Sequence, residues 1–214
     1  MRTTVIAHDF APHDFIGGDA ALDFVNTVTG RDQAAHEPAR DWVDSYARLI
    51  EWARLAKLLP RPSISALAAR AQRQPHAAKL ALARAKALRE SLFELTRAIA
   101  SGRGPPQKTL ASLRRYWTRA VDAHELKFGH GRVTPRLRND NADLDLIAAM
   151  VAYRTVENVL RAPPDRLRMC QGPNCAWVFV DTSKSGRRCW CDMKVCGNAA
   201  KARRFNRTRK RRRA

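Results

Sequence analysis

The sequence lacks any run of about 18 consecutive apolar residues, the length that a helix needs to cross a membrane. Its first thirty residues are acidic and polar, whereas an export signal starts with basic residues and continues with apolar ones. We therefore expect a cytoplasmic protein with no membrane partner. Thiols stay reduced in the cytoplasm, so the five cysteines are expected to be free thiols or metal ligands rather than disulfides.

Acidic residues are also scarce. The chain has 20 Asp and Glu against 40 Lys and Arg, a formal net charge of +20. Such an excess favours a polyanionic partner, of which nucleic acid is the most common. With 45% apolar residues in 214 positions the chain can still bury a core, so it is not expected to be disordered.

Cysteine is absent before residue 170, and the basic charge is uneven along the chain. Residues 161–214 hold 16 Lys and Arg against 3 Asp and Glu, whereas residues 1–160 hold 24 against 17. Pro163 and Pro164 cannot continue a helix and mark a boundary. We predict a larger domain over residues 1–162 and a small basic module over 165–214.

Most of the larger domain has apolar residues at the 3/4 spacing of amphipathic helices, so a mainly α fold is predicted. The predicted helices cover residues 39–59, 63–73, 75–100, 107–124 and 143–161. Residues 126–133 differ: two short flanks around Gly129-His130-Gly131 predict a β-hairpin.

Two polar residues, Asp23 and Asn26, lie three positions apart after Gly17-Gly18 and therefore share one face of a short helix capped by Asp19. They are either tied into backbone hydrogen bonds or line a small-molecule pocket for an unknown effector. The six histidines lack paired metal spacing, and no nucleophile, base and orienting group occur together. An enzyme is therefore not expected.

Four cysteines form two pairs of equal spacing, Cys170-x4-Cys175 and Cys191-x4-Cys196, with fifteen residues between the pairs. Zn²⁺ takes four ligands in a tetrahedron, and two short loops can supply two thiolates each. A module of this size buries little apolar surface, and a metal compensates for the missing core. We predict one structural Zn²⁺ on these four residues, the alternative being four reduced thiols without metal. The fifth cysteine, Cys189, has three possible roles: no function of its own, an alternative zinc ligand, or a redox-sensitive thiol.

The rest of the module predicts a treble-clef-like finger. Residues 176–181 alternate as a strand, 183–186 form a turn, 187–190 are a candidate return strand, and 193–209 form a helix. Its cations are expected to contact phosphates or bases, the alternative being a solvated basic tail. These cations are Arg187, Arg188, Lys194, Lys201, Arg203, Arg204 and Arg207.

The module resembles the CGNR zinc finger. The resemblance rests on Cys170-x4-Cys175-x-Trp177-x-Phe179-x-Asp181-x-Ser183 and Trp190-Cys191-x-Met193-x2-Cys196-Gly197-Asn198, followed by Lys201, Arg203 and Arg204. Residues 15–27 resemble the start of the ABATE domain, with its Gly-Gly-x-x-x-Leu-Asp-Phe-x-Asn-Thr signature. Two positions depart from the finger motif: Ala199 replaces its final Arg, and Cys189 replaces the Arg that usually precedes Trp190.

These resemblances imply a bacterial family of stress-induced transcription regulators, with a zinc-binding, DNA-binding module and an N-terminal domain that senses a signal or dimerises. The leading hypothesis is accordingly a DNA-binding regulator, cytoplasmic and nucleoid-associated, that acts as a homodimer or with a small effector. The alternative is an RNA- or ribosome-associated zinc protein, because a basic tail with exposed Trp suits RNA equally well.

Overall fold

The computed structural model describes residues 3–31, 38–138, 143–172 and 174–211; over 207–211 it describes the backbone alone. The helices of the larger domain are α1 (Ala20–Val25), α2 (Tyr46–Leu55), α3 (Arg61–Arg73), α4 (Pro75–Ala100), α5 (Gln107–Asp122) and α6 (Leu146–Arg154). The mainly α prediction is thus confirmed. Helix α6 continues into a π-helical turn over Thr155–Val159.

Helix α4 forms the centre of the core. Pro75 lies in its first turn, where the missing N–H costs no hydrogen bond, and Gly102 follows its end with φ of 65°. Its buried residues recur every three or four positions and contact α1, α2, α3, α5 and α6. The apolar residues among them are Ala78, Ala81, Ala85, Leu88, Leu92, Leu95 and Ala98.

The predicted helix over 39–59 is wrong at its start. Residues Ala39–Asp41 form strand β3, which lies between β1 (Thr3–Val5, parallel) and β2 (Val28–Thr29, antiparallel). Helix α2 begins only at Tyr46, where the Ser45 hydroxyl accepts a hydrogen bond from the Arg48 N–H at 3.2 Å. Strand pairing with distant parts of the chain overrides the local helical periodicity here.

A buried ion pair explains why β3 is held in place. Asp41 accepts two hydrogen bonds of 2.8 Å from the Arg89 guanidinium of α4, and the Lys86 ammonium lies 2.9 Å away. Burial alone would raise the pKa of Asp41, but its bonds to Arg89 and Lys86 hold the pKa at about 2. Asp41 is thus ionised, and it attaches the strand to the central helix.

The predicted hairpin is confirmed. Strands β4 (His124–Gly129) and β5 (Arg132–Leu137) pair antiparallel from His124↔Leu137 to Gly129↔Arg132. The turn places His130 and Gly131 in the left-handed region, at φ of 52° and 73°. Within the described part of the chain, no helix is long and apolar enough to span a membrane.

Candidate metal centre and nucleic-acid interface

The cysteine module contains a second hairpin, formed by β6 (Leu167–Met169) and β7 (Val178–Val180). The loop between them carries the first cysteine pair and is closed by a 2.7 Å hydrogen bond from Cys170 N–H to the Trp177 carbonyl. The expected return strand over 187–190 is therefore wrong, because β7 pairs with the residues before Cys170. The backbone of 189 instead accepts a 2.9 Å bond from Gln171 N–H.

Strand β7 separates two apolar cores. Its side chains alternate as predicted: Val178 is buried with the helices of the larger domain, whereas Phe179 is buried with the cysteines. Leu167 of β6 also joins the larger core, and Trp42 of the larger domain joins the cysteine core. The module is therefore packed into the larger domain along both faces of β7.

The sulfur atoms of Cys170, Cys175, Cys191 and Cys196 all lie within 4.8 Å of one another. Both the Cys175–Cys191 and the Cys191–Cys196 Sγ pairs are 3.6 Å apart. Four sulfurs around zinc at about 2.3 Å have tetrahedral edges of about 3.8 Å. The cluster therefore has the donor set and the size of a structural zinc site.

Backbone groups support these ligands. The N–H groups of Gly172 and Cys191 each donate to Cys170 Sγ at 3.3 Å. A Cβ on Gly172 would approach Cys196 Sγ to 2.9 Å, so the loop has room for glycine alone. At the second pair, the Asp192 side chain accepts from Val195 N–H at 3.0 Å and caps the turn that carries Cys196.

Crowding of the four thiols makes a cation necessary if all four are to ionise. Hydrogen bonding to Cys170 raises the pKa of both Cys175 and Cys191 above that of a free thiol. A divalent cation at the centre removes this penalty and releases the protons. The four cysteines are the ligands of one structural zinc ion. Cys189 lies outside the cluster, with its thiol 3.4 Å from the Arg187 carbonyl.

Helix α7 (Asn198–Arg211) follows the last ligand through a π-helical turn over Met193–Gly197. Every side chain from Lys201 to Asn206 is exposed, so the helix projects into solvent with no buried face over these residues. Five of the predicted contact residues are exposed, and they lie on α7 or just before it. Lys201, Arg203 and Arg204 are exposed on α7, Arg187 and Lys194 are exposed before it, and the Arg207 side chain lies outside the described residues.

Arg188 has a different role from the expected phosphate contact. Its Nε donates to the Trp190 carbonyl at 2.9 Å, and its Nη2 donates to the Cys191 carbonyl. The guanidinium also lies 4.4 Å from the centre of the Phe179 ring. Arg188 is half-buried and holds the second cysteine pair in place, so its charge is engaged within the protein.

The predicted pocket at Asp23 and Asn26 is not formed by this pair. Asp23 is buried and accepts a 2.8 Å bond from Gly17 N–H, while the Asn26 amide bonds to the backbone of Val178. The structure therefore agrees with the alternative prediction, in which both side chains form hydrogen bonds with backbone groups. Asn26 does so across 152 positions of sequence.

Sequence reasoning missed three polar residues that position the module. Asp181 accepts from the N–H groups of Ser183 and Arg188, at 2.9 and 2.8 Å, and the bonds from Ser183 and Arg188 lower its pKa to about 2. Arg166 and Arg168 donate to carbonyls of the turn over 183–186, each at 2.8 Å. The sequence contained a signal for the role of Asp181, because an Asp two residues before Ser183 is typical of a turn in which the Asp side chain accepts a backbone N–H.

Two family models match the chain. The ABATE model, described as "Putative stress-induced transcription regulator", matches residues 18–163. The CGNR zinc finger model matches residues 166–212, which contain all four ligands of the cluster. None of the curated proteins matches the chain significantly.

Proposed function

The chain belongs to the ABATE family and ends in a CGNR zinc finger, and we propose on this basis that it is a DNA-binding transcription regulator. The family description supports regulation, and the charge of residues 161–214 supports a nucleic-acid partner. In this proposal zinc has a structural role, since a zinc ion with four cysteine ligands has no open position for a substrate.

The observation that carries the proposal is the exposure of α7. Lys201, Arg203 and Arg204 lie on a helix whose described side chains are all exposed over 201–206. A helix with such charge and no core-facing side gains little from folding alone, but it gains free energy when phosphates displace condensed counterions. In this proposal the helix contacts a DNA duplex, and zinc anchors the π-helical turn over Met193–Gly197 from which the helix continues.

The larger domain controls how the helix is presented. Because β7 packs against α1 and α4, a signal or a second copy bound to the larger domain would act on α7 through the zinc site. Homodimerisation and effector binding both belong to this proposal. RNA binding is the second candidate, favoured by Phe205, which is 67% exposed on α7 and available to stack on an unpaired base.

The test starts with selection of random duplex DNA by the full-length, zinc-loaded protein at near-physiological salt. We expect an enriched motif that is lost on chelation, and a palindromic motif would report a dimer. Structured RNA serves as the competitor. If RNA displaces the selected duplex at equal concentration, or if no motif is enriched, the DNA-regulator proposal fails.

A charge-matched pair of variants then locates the interface. The triple variant Lys201→Ala, Arg203→Ala, Arg204→Ala should lower DNA affinity at least tenfold and reduce the slope of log K against log salt by up to about 2.7. The control is Lys79→Ala, Arg103→Ala, Arg114→Ala, which removes the same charge from exposed positions of the larger domain. Equal losses in both variants would mean that net charge, and not α7, determines binding.

A further inference from the structure

The hairpin of β4 and β5 has an apolar face that the described residues leave uncovered. Directly opposite residues of an antiparallel pair lie on the same face, and the pairs Leu126↔Pro135 and Phe128↔Val133 share one face. Leu126, Phe128 and Val133 are 76%, 77% and 60% exposed. Single exposed apolar residues are ordinary, but several together on one face mark an interaction surface.

The opposite face of the hairpin is charged. It carries the pairs Glu125↔Arg136 and Lys127↔Thr134, and the Lys127 ammonium lies 3.0 Å from the Glu125 carboxylate. Glu125 and Lys127 are both exposed and lie two positions apart on the same strand. Strand β4 therefore presents one acid and one base in a fixed order beside its outer edge.

The outer edge of β4 has backbone groups available for another strand. Within the described ranges, β4 pairs with β5 alone. The Arg138 N–H donates to the Ala123 carbonyl at 3.1 Å, and the bonds of an antiparallel pair involve every second residue. Residues 125, 127 and 129 therefore bond to β5, whereas the N–H and C=O groups of Leu126 and Phe128 point away from it. Such an edge is a template for pairing with another chain.

The outer edge of β5 is protected against such pairing. Pro135 lies opposite Leu126, so its backbone also points outward, and it has no N–H to donate. Two β5 strands paired about Thr134 would place Arg132 opposite Arg136, and like charges directly opposite each other are destabilising. Strand β4 has no proline and carries both signs of charge, so it is the edge that can accept a partner.

We propose that a second copy of this chain pairs with the hairpin, its β4 antiparallel to β4 and the two Leu126 residues opposite each other. In this register Glu125 of each copy lies opposite Lys127 of the other, so two pairs of opposite charge form on the polar face. On the apolar face, Phe128 of each copy is diagonal to Leu126 of the other, within reach of an aromatic side chain. Symmetric pairing about Lys127 would instead oppose two like charges.

This pairing specifies the homodimer that forms part of the proposed function and rests on it to that extent, but its formation is measured without DNA. A charge of +20 on each chain opposes self-association. Measurements at about 0.3 M salt screen this repulsion, because the Debye length is then shorter than the roughly 8 Å of physiological salt.

Sedimentation equilibrium of the full-length, zinc-loaded protein between about 1 and 200 µM measures the association. We expect a monomer–dimer equilibrium with a dissociation constant in the micromolar range, because the interface is small. Amide hydrogen exchange of Leu126 and Phe128 should slow several-fold as the protein concentration rises, since dimerisation engages their N–H groups. The N–H of Lys127 already bonds to β5, so its exchange should change less.

Charge reversals test the register. Glu125→Lys and Lys127→Glu each oppose two pairs of like charges in their own dimer and should weaken dimerisation about tenfold. An equimolar mixture of the two variants restores two pairs of opposite charge, so a mixed dimer should form with about the wild-type affinity. Arg132→Glu changes the net charge as Lys127→Glu does but lies on β5, and it should alter the dissociation constant by less than about twofold. Zinc content and circular dichroism confirm that each variant folds.

Three results would overturn the proposal: the wild-type protein stays monomeric at about 200 µM, the mixture associates no better than either variant alone, or Arg132→Glu weakens the dimer as much as Lys127→Glu. A monomer whose Leu126 and Phe128 amide resonances shift on addition of duplex DNA would assign the hairpin to nucleic acid instead. Dimerisation is measured independently of whether α7 selects a DNA motif, so the dimer and the proposed function can fail separately.

Discussion

The Asn26 carboxamide bonds to the backbone of Val178 in both directions. Its Nδ2 donates to the Val178 carbonyl and its Oδ1 accepts from the Val178 N–H, both at 2.9 Å and both buried. One side chain thus occupies the place that a neighbouring strand would take beside β7. A further bond of 2.9 Å from Val180 N–H to the Gly17 carbonyl extends the pairing, so the zinc module and the larger domain form one hydrogen-bonded unit.

Asn26→Ala should therefore destabilise the protein by about 2–4 kcal/mol, because it leaves a buried N–H and a buried carbonyl of Val178 without partners. Urea unfolding monitored by circular dichroism measures the loss. The control is Asn158→Ala, which removes an exposed bond to Asp19 and should cost less than about 1 kcal/mol. Equal losses of unfolding free energy in the two variants would show that the buried Asn26 bonds stabilise the protein no more than an exposed bond does.

Cys175→Ser should remove zinc and unfold the module, because three thiolates with a hydroxyl do not reproduce the tetrahedral site. Unfolding should extend to the larger domain, since Leu167 and Val178 are buried in its core. Metal analysis and the thermal transition report the two effects. Cys189→Ser, outside the cluster, should keep one zinc per chain, and stoichiometric zinc in a folded Cys175→Ser would contradict the ligand assignment.

Asp23 should make stability depend on pH. Burial, with a further contribution from Asp19, raises the pKa of Asp23 from 3.8 to about 7 despite the bond from Gly17 N–H. The folded state therefore binds the proton more tightly than the unfolded state. The resulting stabilisation is complete below the unfolded pKa and is lost as the pH rises through about 7.

Asp23→Asn keeps an oxygen that can accept from Gly17 and removes the charge. Its unfolding free energy relative to wild type should rise between about pH 4 and 7 and level off above, with an upper limit of about 4 kcal/mol. Measuring both proteins across this range cancels the titration of all other groups. A difference that stays constant with pH would mean that Asp23 ionises normally.

Ala199 lies exposed in the first turn of α7, at the position where the finger motif has its final Arg. Under the proposed function, Ala199→Arg adds one phosphate or base contact. It should raise DNA affinity several-fold and steepen the salt dependence by about 0.9. Ala111→Arg, at an exposed position of α5, adds the same charge elsewhere and should have little effect on the slope. Similar slopes for both variants would place Ala199 outside the interface.

The sequence by itself determined the zinc ligands and most of the helices. Two cysteine pairs at equal spacing satisfy a metal with four ligands whatever lies between them, so local spacing was sufficient. The periodicity of α4 and the Gly129-His130-Gly131 turn likewise act within one segment of chain. The alternation of Trp177, Val178 and Phe179 predicted which side of β7 each residue occupies.

Only the tertiary structure decided the features that depend on partners distant in sequence. Residues 39–41 have a helical pattern but form a strand, because β1 and β2 supply hydrogen bonds and Arg89 pairs with Asp41. In the sequence, Asn26 is a candidate ligand-binding residue. In the structure, the backbone of Val178, which lies far along the chain, hydrogen-bonds both the nitrogen and the oxygen of its amide. Arg188 has the charge of a phosphate contact, but nearby carbonyls and the Phe179 ring engage it. Charge and hydrogen-bonding capacity are properties of a residue, whereas the partner that uses them is a property of the fold.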